Sequence, residues 1–324
     1  MSGESGIISP GGGVLPAAAA RRRGLDARGL RHAVAGGQLV RVSRGAYVDA
    51  QSWAGADARG RHLLRMAAAA TRLDLPVFSH HSAAAAHRLP VLGSWPEKVH
   101  VTAPCATGGR SQLDVVRHCT ADVVATADVA GLVVTNLART VVDLARTQSM
   151  SCGLVAADAA LHSGAVVLAD LLAEADQVHS PRGARRMRRV LAHASPHAES
   201  PGESFGRARF LELGVAQPEL QHEVVVGRRR YRVDYWWPQL GLVGEFDGRL
   251  KYLVDGLADD RRALEDRVWA EKRREDDLRA AGLRVIRFVW ADWLDESTLV
   301  PKLVAVGLLP SRRSAGAVLG YAAR

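Results

Sequence analysis

Residues 231–252, YRVDYWWPQLGLVGEFDGRLKY, constrain the chain most. They hold two β-prone runs separated by Pro238, and Asp234, Glu245 and Asp247 sit among their apolar residues. Proline cannot donate to a sheet ladder, so the run breaks there and the two halves are expected to return against each other as neighbouring strands. Glu245 and Asp247 are two apart and leave one face of a strand, while the Pro238 turn brings Asp234 alongside. Carboxylates gathered against a core repel one another and lose hydration, and two resolutions are open. They hold a hard divalent cation such as Mg²⁺ or Mn²⁺, with Lys251 adding a positive charge nearby, or they answer arginines such as Arg228, Arg229 or Arg287 in ion pairs.

Around this stretch the pattern alternates between strand and helix. LQHEVVV and YRVDYWW flank the basic turn GRRR, LGLVGEFD is a further strand, and a long charged helix ending at Gly282 leads into the strand LRVIRFVW. Upstream, Ser200, Pro201 and Glu203 form a helix start with a capping box. A helix, three meandering strands, a helix and another strand predict an α/β sandwich over 198–310. The tryptophans Trp236, Trp237, Trp269, Trp290 and Trp293 are expected to pack.

The N-terminal part reads differently. After a lead-in over 1–13 with no signal-peptide pattern, residues 14–50 give a helix (14–23), a turn at Gly24 and a second helix capped by Asp26 and stopped at Gly36. A short hairpin follows through QLVRVSRGAYV. That order outlines a winged helix-turn-helix. Its polar positions are basic, with Arg22, Arg23, Arg28 and Arg31 on the helices and Arg41 and Arg44 on the hairpin, and these with Arg229 and Arg230 are the candidate nucleic-acid contacts. A solvated basic surface with no partner is the competing reading.

Residues 59–195 form a helical and strand module. PVFSHHSAAAAH is a strand entering a helix near Ser79, KVHVTAP is a strand, and VTNLARTVVDLAR is a helix capped at Thr135. His80, His81 and His87 have no carboxylate or cysteine at ligand spacing and are expected to be packed or exposed around a helix start. Residues 311–324 read as a tail.

The 324-residue chain carries 43 Lys and Arg against 34 Asp and Glu, a net charge of +9, which favours a polyanionic partner. Its Arg, Ala, Gly and Val excess is also what a GC-rich bacterial genome produces. Three widely spaced cysteines and no long apolar run predict a reduced, cytoplasmic protein.

Two family resemblances follow from these residues. VDYWW…LVGEFDG with EKRREDDLRAAGLRVIRF resembles the very-short-patch-repair-like branch of the PD-(D/E)XK, restriction-endonuclease-like nucleases. The resemblance implies Asp234 and Glu245 as magnesium ligands, Asp247 as a possible third, and Glu203 as an added helix acid. Asp247 stands where the family has its catalytic lysine, so Lys251, or Lys272 on the next helix, would replace it, and Glu271 beside Lys272 is a lesser catalytic candidate. RGLRHAVAGGQLVRVSRGAYV, SHHSAAAAHRLP and VTNLARTVVDLA resemble AbiEi-type antitoxin and transcriptional-regulator proteins. Together they imply either a DNA-targeted, metal-dependent endonuclease hydrolysing phosphodiesters, or a non-catalytic DNA-binding regulator or antitoxin, with a possible toxin partner, that keeps a degenerate nuclease fold.

Overall fold

Pro16 decides the entry to the fold. Its fixed φ of −65° and ψ of 143° keep the backbone extended. Val14–Pro16 is therefore strand β1 and not the start of a helix over 14–23; helix α1 is confined to Ala17–Arg22. The pairing that makes β1 a strand is distant in sequence: Val14 lies opposite Val48 of β3 (Ala46–Asp49), which no local periodicity can announce. Helix α2 (Ala27–Ala35) begins where Asp26 Oδ1 accepts from Gly29 N–H at 2.7 Å and stops at Gly36. Strand β2 (Leu39–Ser43) turns through Gly45, at φ +75°, onto β3, giving a three-stranded sheet of order β1-β3-β2.

The structure, a computed structural model, describes residues 13–104, 111, 114–248 and 261–310. The expected lead-in (up to residue 12), the tail over 311–324 and Lys251 lie outside the described residues. The chain divides into two units, Met1–Pro196 and His197–Arg324. Each is a mixed α/β assembly.

In the first unit, Asp49 caps helix α3 (Ala50–Gly55) and Asp57 caps helix α4 (Ala58–Ala70). Apolar residues occupy more than one face of α4. Leu64 and Ala68 close a core with Val14, Ala46 and Val48, while Leu63, Met66 and Ala69 enter a second core with Phe78, Val99, Val101, Val115 and Val134. One helix thus joins residues 14–50 to the module that follows. That module is a five-stranded sheet of order β6-β5-β4-β8-β7, from β4 (Val77–Phe78), β5 (Val99–Pro104), β6 (Val115–Thr120), β7 (Thr126–Val129) and β8 (Leu132–Thr135). Helix α5 (His80–Ala86) follows β4. Helices α6 (Leu137–Thr147), α7 (Met150–His162), α8 (Leu168–Asp176) and α9 (Ala184–His193) complete the unit. The cap of α6 is Asn136, whose Oδ1 accepts from Arg139 N–H at 2.7 Å, and not Thr135, which ends β8.

The second unit places helix α10 (Pro201–Glu212) on a sheet of order β12-β11-β10-β9. Strands β9 (Glu219–Val226), β10 (Arg229–Trp237) and β11 (Leu242–Phe246) run antiparallel in sequence, with a 3-10 turn at Pro238–Leu240. Strand β12 (Arg284–Phe288) returns parallel to β11 after helix α11 (Arg261–Ala280). The short helix α12 (Trp290–Leu294) and helix α13 (Glu296–Ala305) follow. Phe210 of α10 sits edge-on to Tyr235, Trp237, Phe288 and Trp293, at centroid distances of 5.3–5.6 Å, and forms an aromatic core. Gly206 permits that approach, since a Cβ there would lie 2.5 Å from the Tyr235 hydroxyl. Trp269 is 60% exposed under Lys272 and is not a packing residue.

Candidate functional site

The basic surface expected over residues 14–50 is present. Arg22, Arg23, Arg28, Arg31, Arg41 and Arg44 are all exposed, and among the described residues none of them forms an ion pair. The two acids of this module are otherwise engaged, Asp26 in the cap of α2 and Asp49 in that of α3 through Ser52 N–H at 2.8 Å. Arg229 and Arg230, at the β9–β10 hairpin, differ. Both are exposed, yet Arg229 pairs with Asp277 at 2.5 Å and Arg230 with Glu223 at 2.7 Å. Their charge is locally compensated.

Two acids of the opening stretch, Asp234 and Glu245, come together. The register Tyr235↔Gly244 sets Asp234 beside Glu245 one step along, and Asp234 Oδ2 accepts from Phe246 N–H at 2.7 Å. Asp234 lies close enough for its charge to be felt at Glu203. All three are held above the ordinary carboxylate range, in each case chiefly by burial: Asp234 and Glu203 upward, and Glu245 pushed up to about 8 despite the cation beside it.

That cation is the guanidinium of Arg274 on α11. Its Nη2 donates to Glu245 Oε1 at 2.8 Å. Glu203 is equally committed. Its Oε1 accepts from Ser200 Oγ at 2.7 Å and its Oε2 accepts from Glu199 N–H and Gln221 Nε2, each at 2.9 Å. Ser200 caps α10 by accepting from Glu203 N–H, but the expected reciprocal bond to the Ser200 N–H is replaced by that to Glu199 N–H.

The expected Mg²⁺ or Mn²⁺ site over Asp234, Glu245, Asp247 and Glu203 is therefore corrected. Among the described residues no group of three or more His, Cys, Asp or Glu side chains is placed to hold a metal ion. The physical reason is visible in the donors. Charge that a cation would have neutralised is met by Arg274, by backbone N–H groups and by amide or hydroxyl donors. Asp247 follows the end of β11, its N–H bonded to Phe288 O at 2.8 Å. Glu271 and Glu275 serve Arg287, at 2.7 and 3.0 Å.

The chain matches no family model. Two uncharacterized proteins of Mycobacterium tuberculosis, from strains CDC 1551 / Oshkosh and ATCC 25618 / H37Rv, are each 32% identical to it over 120 residues. The match covers 37% of this chain and 44% of each relative, so the chain spans less than half the length of those proteins.

The first unit contains a second cluster, which the sequence reading touched only at His80 and His81. His62 of α4, His80 and His81 of α5, His100 of β5 and His118 of β6 meet inside it. The His80 and His118 rings stack at 3.5 Å, and His100 Nδ1 shares a 2.9 Å hydrogen bond with His118 Nε2. His62 Nδ1 donates to Pro96 O at 2.9 Å. Its Nε2 therefore accepts from Ser82 Oγ, at 2.9 Å, while that oxygen accepts from His100 N–H. Burial lowers every one of them, and at His62, His80, His100 and His118 the charge of neighbouring rings adds to it; His62 and His118 fall to about 4 and His100 to about 3. The rings stack instead of pointing nitrogens at one centre, so this too is packing. His87, expected to be packed or exposed, bonds to Thr135 O at 2.8 Å.

Beside it, Arg139 is buried with three carboxylates: Asp143 at 3.1 Å, and Glu174 and Asp122 at 3.4 Å each. Asp143 is pushed up to about 6 by burial against the pull of Arg139. Arg139, Arg274 and the pair His100–His118 escaped the sequence reading. Their partners lie at least 17 residues away, apart from Glu271, three residues before Arg274, and Asp143, whose i, i+4 spacing from Arg139 in VTNLARTVVDLAR is local.

Among the described residues no helix is long and apolar enough to cross a membrane.

Proposed function

We propose that this chain is a DNA-binding protein of the regulator or antitoxin kind, in which residues 14–50 act as a winged helix. One observation carries the proposal: six exposed arginines on two helices and a hairpin have no ion-pair partner among the described residues. A surface that leaves this much charge uncompensated is suited to a polyanion, whose condensed counterions are released when arginines replace them. The helix order β1, α1, α2, β2, β3, with β1 beside the hairpin, supports α2 as the element entering the major groove and Arg41 and Arg44 as backbone contacts. In this reading the second unit keeps a nuclease-like, restriction-endonuclease-like arrangement as an interaction module, with Arg274 standing against Glu245 where a hydrolytic enzyme would need a cation.

The test is fluorescence anisotropy of a labelled DNA duplex over a salt series. Replacing Arg41 and Arg44 by Ala should weaken binding and reduce the slope of log K against log salt by about 1.8, near 0.9 per lost phosphate contact. An unchanged slope would remove the hairpin from the DNA interface.

A further inference from the structure

Three of the large apolar residues left exposed in the first unit lie close together in sequence: Val167 at 58%, Leu168 at 39% and Leu172 at 47%. Leu168 and Leu172 are four apart on α8 and share one face. Together with Ala175, Val178, Ala184, Met187, Leu191 and Ala192 they line a groove of about 460 Å³ between α8 and α9. Its floor, including Ala175, Met187 and Leu191, is buried. Apolar surface of this kind, open on one side and continuous along two helices, is the usual mark of an interaction site.

The walls of the groove differ in charge. Residues 177–198 contain five arginines, Arg182, Arg185, Arg186, Arg188 and Arg189, and no Asp or Glu. Arg188 lines the groove, and Arg185 lies one turn earlier, on the same flank by its i, i+3 spacing. Neither forms an ion pair among the described residues, whereas Arg186 is used to hold Arg146 O at 3.1 Å. On the opposite wall Asp176 is the acid that lines the groove, while Asp170 is spent on the Val167 N–H and Glu174 on Arg139 elsewhere on α8.

We propose that this groove receives an amphipathic helix from a partner protein, with its apolar face on Leu168, Leu172 and Met187 and its acidic flank on Arg185 and Arg188. Helix α9 has ten residues and is about 15 Å long at 1.5 Å per residue, so the groove accepts about three turns of an incoming helix. Nucleic acid is the poorer occupant. A phosphate backbone cannot cover Leu168 and Leu172, and it would meet Asp176 on the far wall. The site is separate from the arginines of residues 14–50, so it stands or falls independently of DNA binding.

The probe is a fluorescein-labelled synthetic helix of about three turns with leucines at i, i+3, i+4 and i+7 and glutamates along one flank. It is titrated against the full chain by anisotropy, beside the same peptide carrying lysines on that flank. The glutamate peptide should bind at least ~10-fold more tightly than the lysine peptide, a difference of about 1.4 kcal/mol. Leu172→Asp, at an exposed position that leaves folding intact by circular dichroism, should abolish binding of both. Arg188→Glu should invert the preference, a swap that no general loss of structure would produce. The proposal is overturned by absence of binding, by equal binding of the two peptides, or by binding indifferent to both substitutions. It is also overturned if Leu172→Asp dissolves a dimer of the chain, which would make a second copy the occupant, or if it weakens duplex DNA binding.

Discussion

Acid should unfold the first unit well before it unfolds an ordinary domain, because of the histidines His62, His80, His81, His100 and His118. In the unfolded chain a histidine takes up its proton near pH 6.5. In the folded chain His62 and His118 wait until about 4 and His100 until about 3. The native state therefore binds fewer protons than the unfolded state between those limits, and stability falls as the pH drops through 6.5. Between pH 7.5 and 5.5 each of the three loses about 1.3 kcal/mol at 1.36 kcal/mol per unit, or ~4 kcal/mol together; solvent screening at the partly exposed His118 makes that an upper value. His80 and His81 are lowered as well and add in the same direction. Set against the 5–15 kcal/mol typical of a domain, this is about a quarter or more of the whole. The assay is urea denaturation at both pH values, read by hydrogen exchange of peptides covering residues 62–102 so that the first unit is seen by itself. The midpoint should fall steeply, and His100→Gln should reduce the pH dependence by about one proton. A midpoint that is flat from pH 7.5 to 5.5 would refute the inference that these rings are held neutral by burial.

The second unit should respond to pH in the opposite sense. Glu245, raised from 4.5 to about 8, keeps a proton that the unfolded chain has released, so its contribution is full below pH 4.5 and is lost as the pH rises through 8. Glu245→Gln, which keeps an acceptor for Arg274, should stabilise this unit by something on the order of 2 kcal/mol at pH 8.5 and little at pH 5; a variant whose stability tracks the parent at both pH values would argue against a buried acid there. Arg139→Met should cost ~3–5 kcal/mol by leaving Asp143 buried without its cation, and adding Asp143→Leu should recover part of the loss in a denaturation cycle, since Asp122 and Glu174 still lack theirs. A double variant whose cost equals the sum of the two single costs would show that the two charges are not coupled.

Most elements were legible because their signals are local. Asp26 and Gly36 bound α2, Ser200 with Glu203 starts α10, and the break at Pro238 separates β10 from β11. The elements that were misread or missed owe their form to distant partners. Val14–Pro16 is a strand through Val48, and β6 exists because it lies parallel to β5. Helix α4 carries apolar residues for two cores at once, so its periodicity gave no hint that it joins residues 14–50 to the following sheet.

The sequence by itself determined that Asp234 and Glu245 would stand on adjacent strands, because strand period and a proline turn leave few alternatives. It also determined where the uncompensated arginines of residues 14–50 would lie. What it could not decide was who answers the buried carboxylates. Arg274 reaches Glu245 from a helix 29 residues further along, and only the packing of that helix on the sheet sets the 2.8 Å contact that takes the place of a metal ion. Charge pairs in a core are fixed by tertiary geometry, since desolvation makes them decisive and sequence separation makes them invisible.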